Sequence, residues 1–173
     1  MSRTVVTFLS MGEWFAIQVM PRSEHKVVRH LEYKGYETLL PTYKCKRKWA
    51  DRIKFIELPL FPDYIFFRTL TTNSGMVLTI PGTVRLVGMG GRPSVIPVEE
   101  IESLRRINAS RVSAAPCRYI AIGQKVRISV GPLAGIVGLL SEVKNSRRLI
   151  VTVELIMRSI SIDVGVSEVT LAS

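Results

Sequence analysis

The chain has 173 residues, 47% of them hydrophobic, and its 24 Lys and Arg against 14 Asp and Glu give a net charge of +10. That hydrophobic content excludes global disorder and fits one domain or two small ones. No apolar run reaches the ~18 residues of a membrane span, and the basic balance favours a polyanionic partner, most simply nucleic acid.

Residues 1–12 hold a single Arg and a very short apolar stretch, a poor signal peptide, and Met11 is an alternative start to Met1. Residues 14–20 (WFAIQVM) read as a strand. Ser23 is placed to N-cap a helix running to about Lys34, with Val27, Val28 and Leu31 on one face and Gly35 at the C′ position. Residues 39–49 and 52–58 are extended runs around a short turn at Ala50-Asp51, a hairpin. Residues 63–68 (DYIFFR) form another apolar strand, and 73–79 a short helix stopped by Pro81-Gly82. A short strand at 84–87 precedes Pro97, which opens a helix over 98–107 with Ile101, Leu104 and Ile107 on one side. Glu99 and Glu100 near its start and Arg105 and Arg106 near its end complement the helix dipole.

Residues 108–119 (NASRVSAAPCRY) break periodicity and read as a linker. Beyond them the pattern is pure β. Val126, Ile128 and Val130 alternate with polar residues before Gly131-Pro132, and Gly135 and Gly138 follow closely. Leu149, Val151, Val153 and Leu155 alternate, as do Ile160, Ile162 and Val164, around a polar turn at 144–147. About 50 residues of short strands fit a small closed barrel, which removes exposed edges. Cys45 and Cys117 lie far apart in sequence, consistent with a reduced, cytoplasmic protein.

Two basic groups stand out. Lys26, His30 and Lys34 recur every four residues and form one exposed helix stripe beside Arg29 and Tyr33. Lys44, Lys46, Arg47, Lys48, Arg52 and Lys54 cluster around the hairpin tip, with Trp49 among them to stack on a base. A solvated helix face and a merely solubilising hairpin are the plain alternatives. No catalytic residues, cofactor or metal ligands are expected: there are two histidines, and neither a Ser-His-Asp order nor zinc spacing is visible. Gly88-Met-Gly-Gly91 runs into Arg92-Pro93 rather than a helix, so it reads as a turn and not a phosphate loop.

The two halves together resemble the NusG family of transcription elongation factors. The likeness is carried by Trp14-Phe15, Pro21-Arg22-Ser23-Glu24, Leu60-Phe-Pro-Asp-Tyr-Ile-Phe66, Ile80-Pro-Gly82 before Leu86-Val-Gly88, and a KOW-like motif over 123–138. It implies an α+β protein: an extension at 1–12, an NGN domain of antiparallel sheet with flanking helices at 13–108, a linker at 109–120, and an SH3-like β-barrel, the KOW domain, at 121–173. Leu60-Phe-Pro-Asp-Tyr64 and Ile96-Pro97 look like the specialised, RfaH-like or polysaccharide-operon paralogues. Housekeeping members usually have Gly where Asp63 stands, and the family often has Gly where Met157 precedes Arg158.

The resemblance implies that the apolar NGN face grips the clamp helices of the largest RNA polymerase subunit. Phe61, Pro62, Tyr64 and Phe66 are the contributors by position, with Leu86 and Ile96 beside them. Aromatic anchors suit this role, since a few desolvated side chains carry most interface energy. Ser74, Gly75 and Met76 align with a loop that touches the opposite side of the cleft. The His30, Tyr33 and Lys34 positions read non-template DNA in RfaH-type members. Leu155, Ile156, Met157 and Arg158 match the barrel edge used for a small-subunit ribosomal protein or Rho.

The implied function is a monomeric, non-enzymatic elongation or antitermination factor that bridges the polymerase cleft and suppresses pausing. The alternative is a ribosome-associated KOW-type RNA-binding protein, which needs no cleft around Phe61 and Tyr64. The C-terminal half is expected to be β in the free protein rather than a helical hairpin, because Gly131, Pro132, Gly135 and Gly138 would all fall inside such a helix. The linker is expected to leave the two domains tumbling independently, with the polymerase face open.

Overall fold

The computed structural model describes residues 12–49, 52–110, 112–117, 123–143, 146–164 and 168–172. Its first half is an antiparallel sheet in the order β2-β5-β1-β6, formed by β1 (Glu13–Val19), β2 (Glu37–Leu39), β5 (Tyr64–Thr69) and β6 (Thr83–Leu86). Strand residues alternate between faces, and here both faces are apolar. On one, Phe15, Ile17, Val19, Ile65 and Phe67 bury against Val27 and Leu31 of α1 (Glu24–Tyr33) and against Val77 and Ile80. On the other, Trp14, Ala16, Tyr64 and Phe66 bury with Ile101, Leu104 and Ile107 of α2 (Val98–Ala109). The period of two in WFAIQV and YIFF thus sorts the aromatics onto two cores.

Ser23 occupies the N-cap position of α1 but makes no side-chain cap bond; its carbonyl accepts from the Val27 N–H. Glu24 in the first turn is buried, and its Oε1 accepts from the Asp63 N–H at 3.1 Å, tying the start of α1 to the turn before β5. The hairpin is β3 (Thr42–Lys48) and β4 (Ile53–Pro59), with Thr42 paired to Pro59 and Lys48 to Ile53. The turn expected at Ala50-Asp51 lies outside the described residues. The short helix expected over 73–79 is a 3-10 segment, Thr71–Thr79. A two-residue pair, β7 (Gly88–Met89) with β8 (Arg92–Pro93), follows β6. A Cβ at Gly88 would fall 1.9 Å from the Arg92 carbonyl oxygen, so only glycine allows that close approach.

The second half is β, not helical. Its antiparallel sheet has the order β14-β10-β11-β12-β13-β9. The strands are β9 (Ala114–Cys117), β10 (Gln124–Ile128), β11 (Val137–Val143), β12 (Ser146–Val153), β13 (Arg158–Asp163) and β14 (Val169–Leu171). Leu149, Val151, Val153, Ile160 and Ile162 are buried, as the alternation requires. Ala114–Cys117 lies inside the segment read as a linker; instead it pairs with β13, Ile160 facing Pro116. The stretch has no apolar periodicity because it caps the edge of a sheet whose core comes from other strands. Part of the expected polar turn, residues 144–145, lies outside the described residues. The two cysteines are free thiols in β3 and β9, and burial pushes the Cys117 thiol up despite the opposing charge of Arg148.

Candidate functional site

The α2-facing side of the N-terminal sheet carries most of the residues expected to grip a partner. Phe61 and Phe66 meet edge to face with ring centroids 5.7 Å apart. Ile96 bridges to Trp14, its N–H donating to the Trp14 carbonyl at 2.8 Å. The Arg105 guanidinium lies 5.0 Å from the Trp14 ring centroid and also pairs with Glu37. Glu37 in turn holds Arg68 at 3.4 Å. These contacts lock α2 and β2 to the sheet around the aromatic cluster.

The structure separates two of the expected members from that cluster. Leu86 packs against the opposite core, with Phe15, Ile17 and α1, because its position on β6 points it to the other face. Pro62 is exposed in the turn before β5. Phe61, Tyr64, Phe66 and Ile96 remain together, with exposures of 1%, 8%, 0% and 1%.

Their burial comes partly from the other half of the chain. One continuous apolar cluster joins Trp14, Phe61, Tyr64, Phe66 and Ile96 to Val126, Ile128, Val153, Ile156 and Ile160, with Leu155 packed on its margin. Arg158 sits 5.9 Å from the Tyr64 ring centroid. Arg106 Nη1 donates to the Ala134 carbonyl at 2.6 Å. The expectation of independent domains with an open face is therefore overturned. An apolar face of this kind gains by leaving water, and the β domain beside it supplies the cover.

The interface also contains an unfavourable pair. Burial, then the charge of Glu154 from the C-terminal half, then that of Glu99, push the Glu100 carboxyl up to about 7. Glu100 Oε2 is buried without a hydrogen-bond partner. The expected partner edge lies in the same place. Ile156 is buried, Leu155 half-buried, and Met157 and Arg158 are exposed in the turn Glu154–Ile156 and the start of β13.

Three backbone positions were not legible as strained. Arg22 (φ 65), Asp63 (φ 69) and Met157 (φ 49) all adopt the left-handed region. For Asp63 and Met157 the signal that could have found them is the resemblance itself, which implies Gly at the first position in housekeeping members and often at the second. Asp63 immediately precedes Tyr64, and Met157 immediately precedes the Arg158 that covers its ring.

Lys26, His30 and Tyr33 are exposed on α1, Tyr33 by 92%, with Lys34 at the C-cap. Lys34 Nζ donates to Thr79 Oγ1 at 3.2 Å, tying the end of the stripe to the 3-10 segment. Within that segment Ser74 is buried, while Gly75 and Met76 are exposed. The hairpin cations do not form one group. Lys44, Lys46 and Lys48 share a face, whereas Arg47 and Lys54 face the other way, where Lys54 Nζ lies 5.6 Å from the Trp49 ring centroid. Among the described residues no cluster of three or more His, Cys, Asp or Glu could hold a metal ion, and no helix is long and apolar enough to cross a membrane.

The family model for NusG, "Transcription termination factor nusG", matches residues 12–105, more than half of the chain. The chain belongs to the NusG family. The Vibrio vulnificus "Transcription termination/antitermination protein NusG" is 25% identical over 171 residues, spanning 90% of this chain and 93% of that protein. Its counterpart in Chlamydia pneumoniae is 27% identical over 166 residues, spanning 88% and 91%. A solved structure described as "Domain interaction in Thermotoga maritima NusG" shares the fold, with a TM-score of 0.58 at 21% identity, covering 94% of this chain and 98% of that one. NusG relatives thus match nearly the whole length, both the N-terminal sheet and the C-terminal β domain. The matches place the chain among transcription termination/antitermination factors.

Proposed function

We propose that this NusG-family protein is an elongation and antitermination factor of the specialised, RfaH-like kind. It holds the clamp helices of the largest RNA polymerase subunit on the face built by Phe61, Tyr64, Phe66 and Ile96. The single observation that carries this reading is that face: an aromatic cluster on the sheet, buried partly by α2 of its own half and partly by the separate β domain. The cover has to leave before a partner helix can enter. Leaving uncovers Leu155 and Ile156 beside the already exposed Met157 and Arg158, so the edge for a ribosomal protein or Rho is completed when the polymerase face becomes free. Preferential binding to the closed clamp suppresses pausing, because a ligand shifts an equilibrium only by its differential affinity for the two states. Gly75 and Met76 supply a second anchor across the cleft. Lys26, His30, Tyr33 and Lys34 on α1 and the hairpin cations contact non-template or upstream DNA. The protein acts as a monomer in the cytoplasm, and its NGN and KOW domains span 13–108 and 121–173.

The test is co-purification of the full chain with the transcription and translation machinery. RNA polymerase is the expected partner. Recovery with ribosomal subunits and without polymerase would establish the alternative of an RNA-binding KOW protein.

A further inference from the structure

The β3–β4 hairpin has two chemically different faces. Residues directly opposed in an antiparallel pair point the same way. Lys44 opposes Glu57, Lys46 opposes Phe55, and Lys48 opposes Ile53, so these six side chains share one face. All six are exposed. On the other face Tyr43, Cys45, Ile56 and Leu58 are half-buried against the body of the protein. The hairpin therefore has an inner face anchored along its base, with Arg47, Trp49 and Lys54 exposed toward the tip. Its outer face is exposed throughout, and the basal residues Lys44 and Glu57 border a groove with Asn108 and Ser110.

Phe55 is 71% exposed in the middle of that outer face, and Ile53 is 52% exposed beside it. Among the described residues no cation or ring covers Phe55. Trp49, the aromatic that the sequence suggests for stacking, is on the opposite side with Lys54 over its ring. Lys46 and Lys48 are two strand residues apart, a rise of about 6.6 Å. That is close to the spacing of successive phosphates in an extended single strand. Protein interfaces are depleted in Lys, so an apolar ring framed by three lysines favours a polyanion over a protein partner. A duplex keeps its base faces stacked inside, whereas a single strand offers them to an aromatic ring. Glu57 beside Lys44 leaves the basal end of the face the least favourable for phosphate.

We propose that the outer face of the hairpin binds single-stranded nucleic acid, one base stacking on Phe55 and adjacent phosphates resting on Lys46 and Lys48. The inference rests on the reading that the hairpin contacts nucleic acid, and it specifies the strandedness and the stacking residue.

The experiment is a polarisation titration of the full-length protein with a labelled oligo-dT of about 15 nucleotides and with a duplex of the same length. Phe55→Ala is expected to weaken single-strand binding about tenfold, which corresponds to ~1.4 kcal/mol, and to leave duplex binding unchanged. Phe55→Trp is expected to retain the parent affinity. The Lys46→Glu/Lys48→Glu double variant is expected to lower affinity and to flatten the single-strand salt slope by about 0.7 for each phosphate that is no longer neutralised. An unchanged single-strand affinity in Phe55→Ala, or an equal loss on duplex, overturns the stacking proposal. If the lysine reversals also change nothing, the hairpin does not touch nucleic acid and the underlying reading falls as well; co-purification with polymerase is independent of both. Phe55 is exposed enough that truncation should leave the fold intact, and circular dichroism of the variant verifies it.

Discussion

Removing the polar ties between the two halves should open the protein and raise its affinity for RNA polymerase. The perturbation is Arg106→Ala with Arg158→Ala. The first deletes the 2.6 Å hydrogen bond to the Ala134 carbonyl, and the second deletes the cation over the Tyr64 ring. Both arginines are exposed, so modest values apply: about 1 kcal/mol for the hydrogen bond and about 1 kcal/mol for the cation–π interaction. Together they favour the docked state by ~2 kcal/mol, and their loss raises the open-to-docked ratio about thirtyfold. A partner that needs the covered face sees only the open fraction, and its apparent dissociation constant is the intrinsic one divided by that fraction. The same thirtyfold gain should therefore appear in polymerase affinity for as long as the docked state remains the major one. Two measurements are needed: nuclear relaxation, in which the two halves should acquire separate and shorter correlation times, and a titration against polymerase. Halves that separate without any rise in affinity would refute the masking of this face. Halves that still tumble as one body with an unchanged affinity would refute the role of the two arginines as ties.

In that opened background Tyr64→Ala should lower polymerase affinity about thirtyfold, the ~2 kcal/mol of a hot-spot truncation, with the fold retained; parent-like affinity would remove this face from the polymerase interface. Glu100 sets a pH dependence. Its carboxyl stands at about 7 against an ordinary 4.5, so its contribution to stability is fully present below the ordinary value and lost as pH rises through about 7. Thermal melts should show the parent losing stability between about pH 5 and pH 8, and Glu100→Gln losing less; parallel profiles would mean that this carboxyl is not perturbed. Met157→Gly should raise stability by up to about 1 kcal/mol, since glycine relieves the left-handed backbone, whereas Met157→Val should cost about 1–2 kcal/mol. Denaturant unfolding compares the two, and a glycine variant less stable than the valine variant would rule out strain at this position.

The two helices, the long strands such as β1 and β5 and their buried faces were legible because they depend on local periodicity. Phe15, Ile17 and Val19 alternate with Trp14 and Ala16, and Val27 and Leu31 recur at helical spacing, whatever the rest of the chain does. The order of motifs from Trp14 to Gly138 was equally readable and pointed to the family that the N-terminal match shows. What could not be read was set by contacts distant in sequence. Leu86 follows Arg85 in a short mixed strand, and only the pairing of β6 with β1 decides which core it enters. The hairpin cations form one cluster in the sequence, yet the register of β3 against β4 divides them between two faces and sets Phe55 among Lys44, Lys46 and Lys48, with Trp49 on the other face under Lys54. Ala114–Cys117 looks like linker because edge pairing needs backbone groups and little side-chain pattern. The covering of Tyr64 by Arg158, 94 positions later, leaves no periodic trace at all. Local sequence determines which surfaces are apolar; only the tertiary structure decides what lies against them, because burial is a property of the pair of surfaces and not of either one.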